Sequence, residues 1–293
     1  MDPGDSSWGP FFYITKKESV MENLHVPVAT FVTSGIMALA GILIPLALFI
    51  FLLKKYGIKK IPFFVGFAVF IIFAMTLEGI INRLILGGGR AEILMRQPLL
   101  YGIVGGLLAG VFEETGRFVA FRTVLKKYRA DDYTALSYGA GHGGFEVFFV
   151  LFSTSISNII VGAMINTGNI DALTANLDEA GRASVEQTLV TLCTANPLSY
   201  LLSIVERIAA LSFHLSASVL VWFAVKNRGH WIFYPLAIML HTIFNAVAVS
   251  ASLLGIHAAL VELIICAISA LCALLARYIW KKERIFLKES KDL

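Results

Sequence analysis

Residues 98–122 read PLLYGIVGGLLAGVFEETGRFVAFR, and this stretch decides the fold. As a helix rising 1.5 Å per residue, it is long enough to cross the ~30 Å of hydrocarbon in a bilayer. Gly102, Gly106 and Gly110 recur every fourth residue and Glu114 continues the row. One face therefore runs from small to acidic, suited first to close helix packing and then to a polar centre. Glu113 and Arg117 stand four apart, so the spacing predicts an ion pair between them across one turn.

The rest of the chain has the same character. Of 293 residues, 57% are hydrophobic and 15% charged, and the mean hydropathy is +0.77. Soluble domains carry roughly 45–50% apolar and about 25% charged residues. The difference excludes an ordinary soluble enzyme, a disordered chain and a disulfide-rich secreted scaffold. Apolar segments lie near 27–53, 61–86, 98–122, 133–165, 198–225, 231–254 and 256–279. They predict an all-α, polytopic membrane bundle of about seven transmembrane helices in the lipid bilayer. The fourth is too long for one straight crossing, so it tilts or continues past the lipid. Cys266 and Cys272 fall in the last span and read as small core residues.

Loop charges predict the orientation. Basic residues after the first, third, fifth and seventh spans (Lys54, Lys55, Lys59 and Lys60; Arg122, Lys126, Lys127 and Arg129; Lys226 and Arg228; Lys281, Lys282, Arg284, Lys288 and Lys291) number fifteen. The other side has five: Lys16, Lys17, Arg90, Arg96 and Arg182. The positive-inside rule then puts the N-terminus outside and the C-terminus in the cytoplasm. The net charge of +4 reflects these loops and does not call for a nucleic-acid partner. The first 26 residues lack the order of a signal peptide, so the first span is expected to be retained. With no composition break and no internal repeat, residues 1–293 read as a single integral membrane domain. It comprises a 26-residue extracytoplasmic N-terminal segment, core motifs in 98–254, an external loop 166–197 with room for short interfacial helices, and a basic cytoplasmic tail 280–293.

A charge at the centre of a membrane helix costs about 2.5–3.5 kcal/mol on insertion scales, so each needs a reason. Arg83 can snorkel, Glu262 is interfacial by position, and Glu78 suits packing or pairing. The remaining groups cluster in depth. Glu113, Glu114, His142, Glu146, His214, His241 and Asn245 lie on four spans about 12–21 Å from the basic end at 1.5 Å per residue. His142 and Glu146 share a face, as do His241 and Asn245, and Ser203, Arg207, His214 and Ser218 form one stripe. Glu78, Glu113, Glu114, Glu146, Glu206 and Glu262 outnumber Arg83, Arg117 and Arg207 by three. Protonated carboxyls, protonated histidines or a bound cation could balance that excess. Singly, such groups are more often structural: a core histidine, a helix-packing glycine row (Gly139, Gly141, Gly143 and Gly144), an interhelical asparagine. Their convergence at one depth points to a shared pocket facing the cytoplasm.

The motifs carry a resemblance. Glu113-Glu114-Thr-Gly-Arg117 resembles the first motif of the CAAX-protease and bacteriocin-processing (CPBP) group and its PrsW-like relatives. His142-Gly-Gly-Phe-Glu146 resembles the second motif and His241-Thr-Ile-Phe-Asn245 the final one. Tyr138 supplies the aromatic residue four before the histidine, while the Glu-to-Arg spacing is one residue shorter than in the CAAX enzymes. The GR ending, the HGGxE form and the seven spans are most similar to the YhfC branch, a family of intramembrane metalloproteases. The resemblance covers roughly 98–254.

It implies hydrolysis of a peptide bond in a membrane-embedded or membrane-proximal protein substrate by a glutamate-activated water. Glu113 or Glu114 would be the general base, with Glu114 favoured because it extends the glycine row. Arg117 would hold the neighbouring carboxylate ionised, and His142 would orient water or the substrate carbonyl. His241 and Asn245 would stabilise the oxyanion, and Glu146 would support the site. His142, His214 and His241 with a carboxylate could hold one divalent cation such as zinc. The absence of an HExxH helix leaves the metal-free form equally open. Two other functions fit the residues: an ion- or proton-coupled transporter, since carboxylates and histidines at this depth make relays, and a non-catalytic seven-span scaffold of the same superfamily. The oligomeric state is not encoded in these motifs.

Overall fold

A computed structural model describes residues 24–289 apart from 88, 176, 178 and 228. Most of the expected N-terminal segment and the last four residues of the basic tail lie outside the described residues. Helices α1 (Val28–Tyr56), α2 (Lys60–Leu86), α4 (Pro98–Arg122), α5 (Tyr133–Asn166), α8 (Ser199–Lys226), α9 (Phe233–Leu253) and α10 (Ala258–Glu289) follow the predicted spans closely. Three shorter helices, α3 (Gly89–Met95), α6 (Asp171–Thr174) and α7 (Glu179–Thr194), occupy the intervening loops. Among the described residues all regular structure is helical and seven helices are long and apolar enough to cross a membrane. The chain is a multi-pass membrane protein.

The span boundaries have local causes. Gly57 ends α1 in the left-handed region at φ 60°, where its amide donates to the Leu53 carbonyl. Lys54 and Lys55 sit in that last turn, against the negative end of the helix dipole. Pro98 opens α4 at a position that needs no amide donor. Helix α5 runs unbroken over 34 residues. At its far end the Asn166 side chain accepts from the Val26 amide at 2.8 Å and donates to the Val26 carbonyl at 3.0 Å. Leu189 and Leu192 of α7 pack there against Val26 and Ile165, so the 166–197 segment contains helices that cap one end of the bundle.

One feature has no counterpart in the sequence pattern. Residues Phe70–Glu78 of α2 are π-helical, and the Thr76 hydroxyl donates to the Ile71 carbonyl five residues back at 2.8 Å. Such wide turns inside α-helices often mark functional positions.

Helix α8 is the enclosed centre, in contact with α1, α4, α5, α9 and α10. Around it, glycine lets backbones touch. A Cβ on Gly106 would stand 2.5 Å from the Thr242 carbonyl oxygen of α9, and one on Gly141 would stand 1.9 Å from the Phe63 carbonyl oxygen of α2. The glycine row of α4 thus packs on α9, and the glycines of α5 admit α2 on one side and α8 on the other. Leu39, Leu99, Leu263 and Leu271 stay exposed on the outer surface, as expected of side chains that face lipid.

Gly106→Val should lower the stability of the detergent-solubilised protein by about 1–3 kcal/mol, the usual cost of overpacking, read as a fall in melting temperature. Gly105→Val is the control, because its Cβ meets nothing nearer than Leu86 Cδ1 at 3.7 Å. Equal effects from both variants would contradict this account of α4–α9 packing.

Candidate functional site

Four helices bring the singled-out residues together. Helix α4 contributes Glu113, Glu114 and Arg117; α5 contributes His142 and Glu146; α8 contributes Arg207 and His214; α9 contributes His241. Local packing sets their approach. A Cβ on Gly143 would meet the His214 Cβ at 2.9 Å, so the glycine after His142 allows α8 to bring its histidine alongside. The rings of His142 and His214 lie 4.9 Å apart, and those of His214 and His241 5.3 Å apart.

Arg117 organises one half of the site. Its Nη1 donates to Glu114 Oε1 at 2.5 Å and also contacts Oε2. Its Nη2 donates to His214 Nδ1 at 3.0 Å. The spacing rule favoured Glu113 as the partner, but the arginine pairs with Glu114. A residue three or four back on a helix is equally within reach, and Glu113 is turned toward α5. There Glu113 Oε2 lies 2.8 Å from His142 Nε2 and 4.0 Å from His214 Nδ1, while Oε1 lies 3.8 Å from His241 Nε2. Glu114 Oε1 also takes His241 Nδ1 at 2.8 Å.

These contacts assign protons. A guanidinium has only donors, so His214 Nδ1 must accept from Arg117 and its proton sits on Nε2. That nitrogen lies 2.6 Å from Glu146 Oε2. Glu146 is held in turn by Arg207, whose Nη2 donates to Glu206 Oε1 at 2.5 Å. Glu114, already bound by Arg117, accepts the His241 Nδ1 proton, and His241 Nε2 faces Glu113 Oε1.

The expected open pocket is instead a closed cluster. Glu114, Arg117 and His142 are fully buried, and Glu113 is only 6% exposed. The imidazoles are walled by rings: Phe70 edge-on to His142 at 5.2 Å, Tyr138 stacked on it at 5.8 Å, and Phe213 beside His241 at 5.0 Å. Phe70 had no signal in the sequence, whereas Tyr138 was visible four residues before His142. Asn245, one turn beyond His241, is half-buried and makes no side-chain hydrogen bond among the described residues. Glu78 is bonded to Asn82 one turn on.

The donor set fits a divalent cation. Glu113, His142 and His214 each offer a ligand atom within 4.8 Å of the others. One carboxylate and two imidazoles form a recurrent catalytic zinc set, and a ligand histidine usually donates its other nitrogen to a carboxylate, as His214 does to Glu146. Glu113 is also the central carboxylate that no arginine contacts. His241, anticipated as a third imidazole ligand, lies outside this group of three; its Nδ1 is held by Glu114 and its Nε2 stands 3.8 Å from Glu113 Oε1.

The fold and site define a class: a polytopic membrane protein with a buried Glu/His/His cluster able to take a divalent metal. Residues 40–265 match the model of the YhfC intramembrane metalloprotease family, and the chain belongs to that family. It is 37% identical over 260 residues to the uncharacterized membrane protein YhfC of Bacillus subtilis (strain 168), covering 85% of this chain and 96% of that protein. No solved structure matches the chain.

Arg117→Met leaves Glu114 buried without its cation, and breaking such a pair costs about 3–5 kcal/mol. The double variant Arg117→Met/Glu114→Gln removes both charges and should unfold at a higher temperature than Arg117→Met alone. A double variant no more stable than the single one would mean that the pair does not carry this energy.

Proposed function

We propose that the protein is an intramembrane peptidase that hydrolyses a peptide bond of a membrane-embedded or membrane-proximal protein segment. The observation that carries the reading is the convergence of Glu113, His142 and His214 at one point, beside the Arg117–Glu114 pair. Glu113, His142 and His214 would hold a divalent cation such as zinc. When bound, that cation supplies a water of lowered pKa and polarises the scissile carbonyl.

The remaining roles belong to the chain. Glu146 keeps the His214 proton on Nε2, and Nδ1, which accepts from Arg117, would turn its lone pair from the guanidinium to the cation on binding. Glu114, anchored by Arg117, holds the His241 proton on Nδ1. His241 Nε2 can then accept the proton of the attacking water and return it to the leaving amine. This shifts the favoured role of Glu114 from general base to positioning residue, because both its oxygens are already engaged. Asn245 is left to donate to the developing oxyanion. Phe70 and Phe73 of the π-helical segment cover the cluster, packing on His142 and on Gly116. We place substrate entry on this side.

The order EExxR, HxxxE, HxxxN also supports kinship with the CAAX-protease and PrsW-like group. The fifteen-to-five bias of basic residues supports a cytoplasmic C-terminus. One observation favours a second reading as a proton- or cation-coupled transporter: the continuous chain of polar contacts Glu206–Arg207–Glu146–His214–Arg117–Glu114–His241. Flux in proteoliposomes, abolished by the site variants, would select it.

Purified protein should contain about one zinc-type cation per chain. Glu113→Gln and His142→Ala should lose both the metal and the cleavage of whichever precursor accumulates in membranes lacking the protein. Glu146→Gln should weaken metal binding by about 10–100-fold, as loss of a supporting carboxylate does. A metal-free sample that cleaves at the full rate would overturn the metal assignment, and normal cleavage by Glu113→Gln would overturn the peptidase reading.

A further inference from the structure

The basic end of the bundle encloses a cavity of about 510 Å³ between the ends of α4 and α8 and the approach to α9. Arg122, Lys126, Arg129 and Lys226 line it, together with Phe118 and Trp231. No carboxylate is among its described lining residues, and Asp132 and Glu283 nearby are already engaged. Asp132 accepts from Lys226 Nζ at 2.5 Å and from Trp222 Nε1 at 2.9 Å, and Arg284 Nε stands 3.7 Å away. Glu283 accepts from Asn227 at 2.5 Å and lies 2.8 Å from His230 Nδ1.

Arg122, Lys126 and Arg129 make no ion pair among the described residues. The two arginines of the buried cluster, Arg117 and Arg207, are both paired. Arg129 Nε is buried without a hydrogen-bond partner. The Arg122 guanidinium lies 5.8 Å from the Phe118 ring centroid, a stacked position that leaves its edge donors available for a bidentate anion. Three unbalanced cations around one cavity repel each other unless an anion sits between them.

The rim adds a second requirement. Trp231 is 67% exposed and the adjacent Ile232 54% exposed, the placement of an aromatic anchor at a membrane–water interface. We propose that this cavity binds the phosphate headgroup of an anionic phospholipid, whose acyl chains leave past Trp231 and Ile232. A dissolved phosphate would satisfy the cations but not the apolar rim. Basic pockets at the ends of membrane helices take anionic headgroups in this way. The inference is independent of the peptidase reading.

The test is native mass spectrometry of the full chain, offered equal amounts of phosphatidylglycerol and phosphatidylcholine. The wild type should retain phosphatidylglycerol preferentially. Arg122→Gln/Arg129→Gln should lower that retention by about fivefold per cation removed and leave phosphatidylcholine retention unchanged. Lys126→Gln, at an exposed position, guards against misfolding of the double variant and should give a single such loss. Arg90→Gln/Arg96→Gln, at exposed sites beyond the other end of the bundle, should change nothing. Equal retention of the two lipids by the wild type would overturn the proposal. So would unchanged retention in both cavity variants, or displacement of bound phosphatidylglycerol by an equal concentration of inorganic phosphate.

Discussion

The fully buried ion pair between Arg117 and Glu114 is the contact on which the rest of the site depends. In hydrocarbon neither charge can be left alone, so each of the four helices around the pair must present a polar group to it or to its neighbours. Arg117 reaches α8 through His214, and Glu114 reaches α9 through His241. Glu113, displaced to the other side of α4 by the helical turn, reaches α5 through His142. One turn of α4 therefore fixes the rotation of three other helices. The same contacts place the His214 proton on Nε2 and a His241 proton on Nδ1.

Close packing makes this possible. Between helices in lipid there is little hydrophobic gain, since acyl chains are as apolar as leucine. Association rests on intimate backbone contact and on polar links. Gly102, Gly106 and Gly110 give α4 its contact with α9, while Gly141 and Gly143 give α5 its contacts with α2 and α8. The polar cluster and the glycine seams are interdependent. Without the seams the carboxylates and imidazoles could not span the gap, and without the cluster the seams would hold the helices in no particular rotation. The result is a buried, tightly held centre covered by the π-helical stretch of α2.

Much of this was legible residue by residue. The span limits followed from apolar run length. The depth of Glu113, His142, His214 and His241 followed from counting helical rise. The glycine row of α4 announced a packing face. Pairing was not legible: Arg117 lies within reach of both Glu113 and Glu114, and the sequence spacing favoured the wrong one of two neighbours. Enclosure was not legible either. Phe70 reaches His142 from another helix, and the π-helical turn that carries it leaves no periodic mark in a run of uniformly apolar residues.

The order of residues alone determined that this chain forms long membrane helices and that acidic and imidazole groups share one level, because helix length and rise are local properties of the backbone. Tertiary structure decided which carboxylate meets the arginine, which meets the histidines, and that the cluster is closed. Those outcomes depend on helix rotation and on contacts between residues about 30 to 130 positions apart. Side-chain geometry across helices selects among arrangements that sequence spacing leaves equal.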